Sequence, residues 1–244
     1  MKLSTIWLKS AAIALLVAAA PPARADVAAD LAAASKAGRA VFLIVTEGEA
    51  RGTDLARRVC SDAAKYTDSV SVVELDRAAA ANAETVKRYR LGSIEVPLIL
   101  VISPNGVAAA ATKPSAVTAS RLARMIPSPA KASHLKALED GEPTFLVFSA
   151  EKTPGRAETL AACAAAQKAL EGKAITLSVD LDDEREAGFR EEMKVPAKLS
   201  APLTIVVNAK AQRTETFEAV PEVKALVEAS QKVVAECCPG GHCK

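Results

Sequence analysis

Two short runs in this chain, Val41-Phe42-Leu43-Ile44-Val45-Thr46 and Thr144-Phe145-Leu146-Val147-Phe148-Ser149, are apolar at almost every position. Brief runs rich in β-branched and aromatic residues predict buried strands. They lie about 103 residues apart, and the segments after them repeat as well. A polar, Gly-containing loop leads into a helical stretch, Asp54 to Lys65 in one copy and Ala157 to Leu170 in the other. Second strands come next at Val70–Asp76 and Ile175–Asp180, then short helices around Ala83–Tyr89 and Glu184–Met193. Third strands are led by proline, Pro97–Ile102 and Pro202–Val207. Ser103-Pro104-Asn105-Gly106 predicts a hairpin turn, with Ala209 to Gln212 in its place in the second copy. Each copy closes with a helix, Ala116–Ile126 and Pro221–Glu236; in the latter Val223, Leu226, Val227, Val233 and Val234 share a face. Val27–Ala37 and Lys131–Leu138 read as leading helices, and Pro127-Ser128-Pro129 breaks the chain between the copies.

Ahead of the repeat, Lys2 and Lys9 precede an uncharged stretch from Ser10 to Pro22, and Ala23-Arg24-Ala25 offers small residues for cleavage. This pattern predicts a secretory signal peptide over residues 1–25, and hence a periplasmic or secreted protein. The apolar stretch is shorter than the ~20 residues a membrane span requires. No later segment is long and apolar enough to span either.

Cleavage changes the charge. The full chain has 31 basic and 29 acidic residues; losing Lys2, Lys9 and Arg24 leaves 28 against 29, a formal −1. A near-neutral chain lacks the basic footprint of nucleic-acid binding. The one Trp leaves with the signal, so few aromatic residues remain for stacking surfaces.

The order βαβαββα, with a proline heading the third strand, resembles the thioredoxin fold. The resemblance implies an α/β protein of two tandem thioredoxin-like domains, residues 26–127 and 128–236, followed by a cysteine-rich tail, residues 237–244. In that family the proline is cis, and the residue before it pairs with bound peptide. Carried over, the peptide-groove positions are Val96-Pro97 and Ala201-Pro202. The family's Cys-x-x-Cys belongs at the start of the helix after the first strand, where the dipole favours a thiolate. Here those stretches run from Glu47 to Asp54 and from Ala150 to Arg156, and neither holds a cysteine. Exchange chemistry needs a thiolate, so both domains are expected to be degenerate.

Cys60 and Cys163 occupy matching places about two turns into their helices and read as small buried hydrophobes; a disulfide joining the domains is the alternative. His134 reads as a solvated surface residue, and the acidic run Asp182-Asp183-Glu184 with Glu186 as a solvated helix start.

The sharpest chemical feature is Cys237-Cys238-Pro239-Gly240-Gly241-His242-Cys243-Lys244. Cys237, Cys238, His242 and Cys243 form a soft-to-borderline ligand set suited to Cu(I) or Zn(II). The same thiols could serve redox exchange, with Cys238 and Cys243 closing a small disulfide and Cys237 left to attack; an inert pin, or a dimer disulfide through Cys237, is the third reading. The chain is therefore expected to be an exported, non-catalytic binding or accessory protein, with a protein or peptide partner and a tail that binds or passes a soft metal. A thiol–disulfide oxidoreductase working through the tail, and a pure scaffold, are the competing classes.

Overall fold

The computed structural model describes residues 26–48 and 50–234. In the first half, α1 (Val27–Lys36), β1 (Ala40–Thr46), α2 (Thr53–Ala64), β2 (Val70–Asp76), α3 (Ala83–Arg88), β3 (Leu98–Ile102), β4 (Ala108–Thr112) and α4 (Ala119–Arg124) come in order. The second half repeats the plan: α5 (Pro129–Glu139), β5 (Thr144–Ser149), α6 (Arg156–Ala169), β6 (Ile175–Asp180), α7 (Ala187–Glu192), β7 (Leu203–Val207), β8 (Arg213–Phe217) and α8 (Val223–Gln231).

Each half is built on a four-stranded sheet, β2-β1-β3-β4 or β6-β5-β7-β8. In each, the first strand pairs parallel with the second and antiparallel with the third, and the third pairs antiparallel with the fourth. This is the thioredoxin-like arrangement, present twice in tandem. Every residue of β1 and β5 is buried, because helices cover both faces of the sheet; hence the runs are continuous rather than alternating. In the first half, Phe42 and Ile44 point to α2 and α4 with Cys60 and Leu122, while Leu43 and Val45 face α1 and α3 with Leu91. In the second, Phe145 and Val147 join Cys163 and Leu226, and Leu146 and Phe148 join Phe189 and Ala130. Truncating one of these buried phenylalanines to Ala would cost about 3–5 kcal/mol.

The structure corrects several details. The last helix stops at Gln231, and Lys232 is extended. Val233 and Val234 are thus exposed and not on a buried face; side chains from the β7–β8 turn take up this backbone instead. The first copy's last helix starts at Ala119, capped by the Thr118 side chain, after a 3-10 turn at Pro114–Ala116. α5 begins at Pro129, with the Ser128 hydroxyl accepting from Lys131 N, as proline at the first helical position favours.

His134 is buried, not solvated. Its Nδ1 lies 2.9 Å from Thr144 Oγ1, and its ring lies 5.7 Å from that of Phe189. Burial disfavours the imidazolium and lowers its pKa. Glu186 is also buried, and not part of a solvated helix start. Its carboxylate accepts from Ser128 Oγ and, at 3.0 Å, from Ala130 N, so it caps α5 from 58 and 56 residues further along the chain. Asp183 does behave as a solvated acid, held low by its hydrogen bond from Arg185.

Candidate functional site

The site that the thioredoxin resemblance implies lies where the helix after the first strand begins beside the proline that heads the third strand. α2 and α6 each start after a glycine with positive φ, Gly52 (φ 96°) and Gly155 (φ 81°). A β-carbon on Gly52 would stand 3.5 Å from Pro97 Cγ, and one on Gly155 would stand 3.7 Å from Pro202 Cδ. Loop, helix start and proline thus meet in both copies, and no described residue there is a cysteine.

The cysteines lie deeper. Cys60 and Cys163 are free and fully buried, in separate cores. No disulfide between them joins the domains, because each faces its own sheet. Burial alone pushes both thiols up to about 12, so at neutral pH thiolate is a negligible fraction.

In other respects the two sites differ. Val96–Pro97 is cis, and Pro97 is half-buried. The Val96 N–H and C=O make no hydrogen bond among the described residues. The floor is settled: Thr46 Oγ1 and Thr53 Oγ1 bond to each other at 3.1 Å, and Thr53 Oγ1 donates to Ala50 O at 2.7 Å. Ala56 and Ile99 are apolar beneath them. A polar cleft of ≈ 440 Å³ runs along the α2 start, lined by Gly48, Arg51, Gly52, Asp54 and Arg57 among others. Arg57 is fixed there by paired bonds of 2.7 Å to Glu74 and one of 2.9 Å to Asp54.

In the second copy the Ala201–Pro202 bond is not cis, contrary to the family pattern. Pro202 is buried. Val220, from the loop before α8, reaches over the helix start, its Cγ2 3.5 Å from where a Gly155 β-carbon would sit. Beneath lies a set of polar atoms with no partner among the described residues: Ser149 Oγ, Arg156 Nε, Thr159 Oγ1 and Thr204 Oγ1. Ser149 is 1% exposed, and Thr159 and Thr204 0%. Strand register places Ser149 and Thr204 on the α6 face with Val147, opposite which Thr204 pairs. Thr159 is on the inward face of α6, one turn before Cys163. Where the first copy has a closed Thr–Thr pair over Ala56 and Ile99, the second has buried hydroxyls with no partner among the described residues. Sequence reasoning missed this set, since threonine in a strand reads as an ordinary β-former.

Cys237, Cys238, His242 and Cys243 lie outside the described residues. Among the described residues there is no group of three or more His, Cys, Asp or Glu that could hold a metal ion, and no helix long and apolar enough to cross a membrane.

No protein-family model matches the chain, and no curated protein does. Solved structures do match. One is ERdj5 in crystal form II, at 17% identity over 79% of this chain and 25% of that one, TM-score 0.33. Another is the zinc-bound form of human ERp44, at 10% identity over 81% of this chain and 56% of that one, TM-score 0.35. A third is the pair of first two thioredoxin domains of Saccharomyces cerevisiae Eps1p, at 10% identity over 87% of this chain and 98% of that one, TM-score 0.35. The chain thus spans about a quarter of ERdj5 and just over half of ERp44, and nearly all of the Eps1p pair. Of these three, the Eps1p structure is described as two thioredoxin domains.

Proposed function

We propose that this is an exported binding protein whose thioredoxin-like domains do no redox chemistry, and that its first domain receives an extended peptide at Val96-Pro97. One observation carries the reading: both helix starts are built and packed against their prolines, yet the thiols nearest them are buried and held protonated. A site with its frame kept and its nucleophile gone can bind and cannot exchange. The Val96 backbone, without a partner among the described residues, offers a peptide the donor and acceptor that strand addition uses. Cys237, Cys238, His242 and Cys243 add a soft ligand set, which we assign to Cu(I) or Zn(II) on donor chemistry. Thiol exchange through these cysteines is the second reading, favoured by their number within seven residues.

Native mass spectrometry of the protein exported to the periplasm and purified without reductant, beside a version ending at Glu236, separates the two. A metal mass found only in the longer protein supports metal binding. A two-dalton deficit confined to the longer protein, with no metal, replaces it with a disulfide. In the same preparation, an aromatic disulfide reagent should modify no more than three thiols until denaturant exposes Cys60 and Cys163; five modified under native conditions would contradict the burial of those two.

A further inference from the structure

Among the described residues, the backbone from Gly92 to Val96 makes no hydrogen bond to other backbone. Leu91 behind it is fixed by its N–H to Val86 O, and Leu98 ahead of it joins β3. The stretch that leads into Pro97 thus has no ladder to set its course. Ile94 and Val96 rest on the core beside Leu91, but its polar anchor comes from elsewhere. Arg77, the residue after β2, donates through Nη1 to Ile94 O at 2.6 Å and, at 3.4 Å, to Leu91 O. The same guanidinium donates through Nε, at 2.8 Å, and through Nη2 to one carboxylate oxygen of Glu47. Glu47 lies in the loop between β1 and α2.

One planar cation therefore joins the two segments that meet at Pro97. One enters α2 through Gly52, and the other presents Val96. The Arg77 side chain is 18% exposed, unlike the freely solvated pairs that contribute little. Charge-assisted bonds from a rigid fork fix direction as well as distance. The Arg77 backbone is held too, its N–H donating to Thr46 O at 2.9 Å.

The second copy lacks both members of this bridge. Leu181 takes the place of Arg77: its N–H donates at 3.2 Å to the carbonyl of Ser149, which ends β5 as Thr46 ends β1. Ala150 follows Ser149 where Glu47 follows Thr46. Leu181 packs on the core with Val195 and Leu199 instead. Apolar contact is non-directional, so it holds that segment without orienting its backbone.

We infer that Arg77 is a positioning residue for the Val96 site: by bridging Glu47 to the Ile94 carbonyl it orders residues 92–96 before a peptide arrives, and so lowers the cost of binding. This rests on the proposed peptide site, but its first test needs no peptide.

The experiment compares the full-length protein with its R77L, R77K and E47Q variants, each checked by its melting curve. Relaxation of backbone amide nitrogens in the protein alone reads the segment. Order parameters at Ile94 and Glu95 should be about 0.85 in wild type and below about 0.6 in R77L, with β1 and β3 unmoved. R77K should resemble R77L, because an ammonium on a flexible stem cannot hold Glu47 and two carbonyls together; it carries the comparison if R77L does not fold. E47Q keeps an acceptor oxygen and should stay close to wild type. Affinity for a reduced, carboxymethylated and permanently unfolded protein should follow the same order, falling ~10-fold in R77L as the ordering cost moves to the binding step. Unchanged order parameters in R77L would overturn the inference whether or not the unfolded protein binds. So would an R77K variant as ordered and as tight as wild type, since charge alone would then suffice. Loosening by R77L in a protein that binds no unfolded chain would uphold the bridge and remove the peptide reading alone.

Discussion

The two domains share strand order, register and helix placement, and differ where a thioredoxin would do its work. The first has a half-buried cis proline, a Val96 backbone with no partner among the described residues, and a floor in which Thr46 and Thr53 satisfy each other above apolar Ala56 and Ile99. The second buries its proline, brings Val220 over the helix start, and leaves the Ser149, Thr159 and Thr204 hydroxyls without partners among the described residues. Two sites without cysteines therefore differ within one chain. One has a half-buried cis proline over a settled base, and the other a buried proline over a base still polar.

The comparison can be broken by moving residues between the copies. Counted from the prolines, Ile99 stands where the second copy has Thr204. Ile99→Thr should cost the first domain about 3 kcal/mol in urea unfolding, because it opens space in the core and buries a hydroxyl beside apolar neighbours. A loss under about 1 kcal/mol would mean that the layer is wetter than its residues indicate. Glu186→Ala removes the acceptor of both Ser128 Oγ and Ala130 N. It should destabilise the second domain by about 2 kcal/mol, and Glu186→Gln, which keeps an acceptor oxygen, by less. Thr204→Val runs the other way: with no bond to lose, replacing the buried hydroxyl by methyl should stabilise by about 1 kcal/mol. If it destabilises instead, a buried water completes that set.

The smallest effect expected is on pH dependence. Burial lowers the pKa of His134 below that of the unfolded chain. The unfolded state therefore binds the proton first, and the second domain loses stability as pH falls below about 6.5. His134→Gln keeps a group able to bond Thr144 and cannot titrate. The melting temperature of that variant should fall less than wild type between about pH 7 and pH 5; parallel curves would show that carboxylates carry the whole slope.

The strands were legible because their cause is local. A central strand covered on both faces must be apolar throughout, and Val41–Thr46 and Thr144–Ser149 say so. The starts of α2 and α6 and the absence of cysteines there could be read the same way, whereas the trans Ala201–Pro202 bond could not. What escaped was non-local. Glu186 sits in a run of acids and looked solvated, but its partners are 56 and 58 residues away. Val233 and Val234 continue a helical pattern, but Asn208 and Gln212 claim the backbone there. His134 did carry a signal: with Ala130 and Ala137 it shares one helical face at i, i+4 and i+7, and all three are buried. Val220 over Gly155 had no signal, since a lone valine in a loop is common.

Whether the first domain alone presents an open peptide site is decided by backbone amide NMR of the protein, titrated with a reduced, carboxymethylated and permanently unfolded protein. Shifts that saturate are expected at Gly52, Thr53, Ile94 and Val96, with Gly155, Arg156 and Ala201 unmoved. Equal shifts in both sets, or shifts confined to the second, would contradict an open site in the first domain alone.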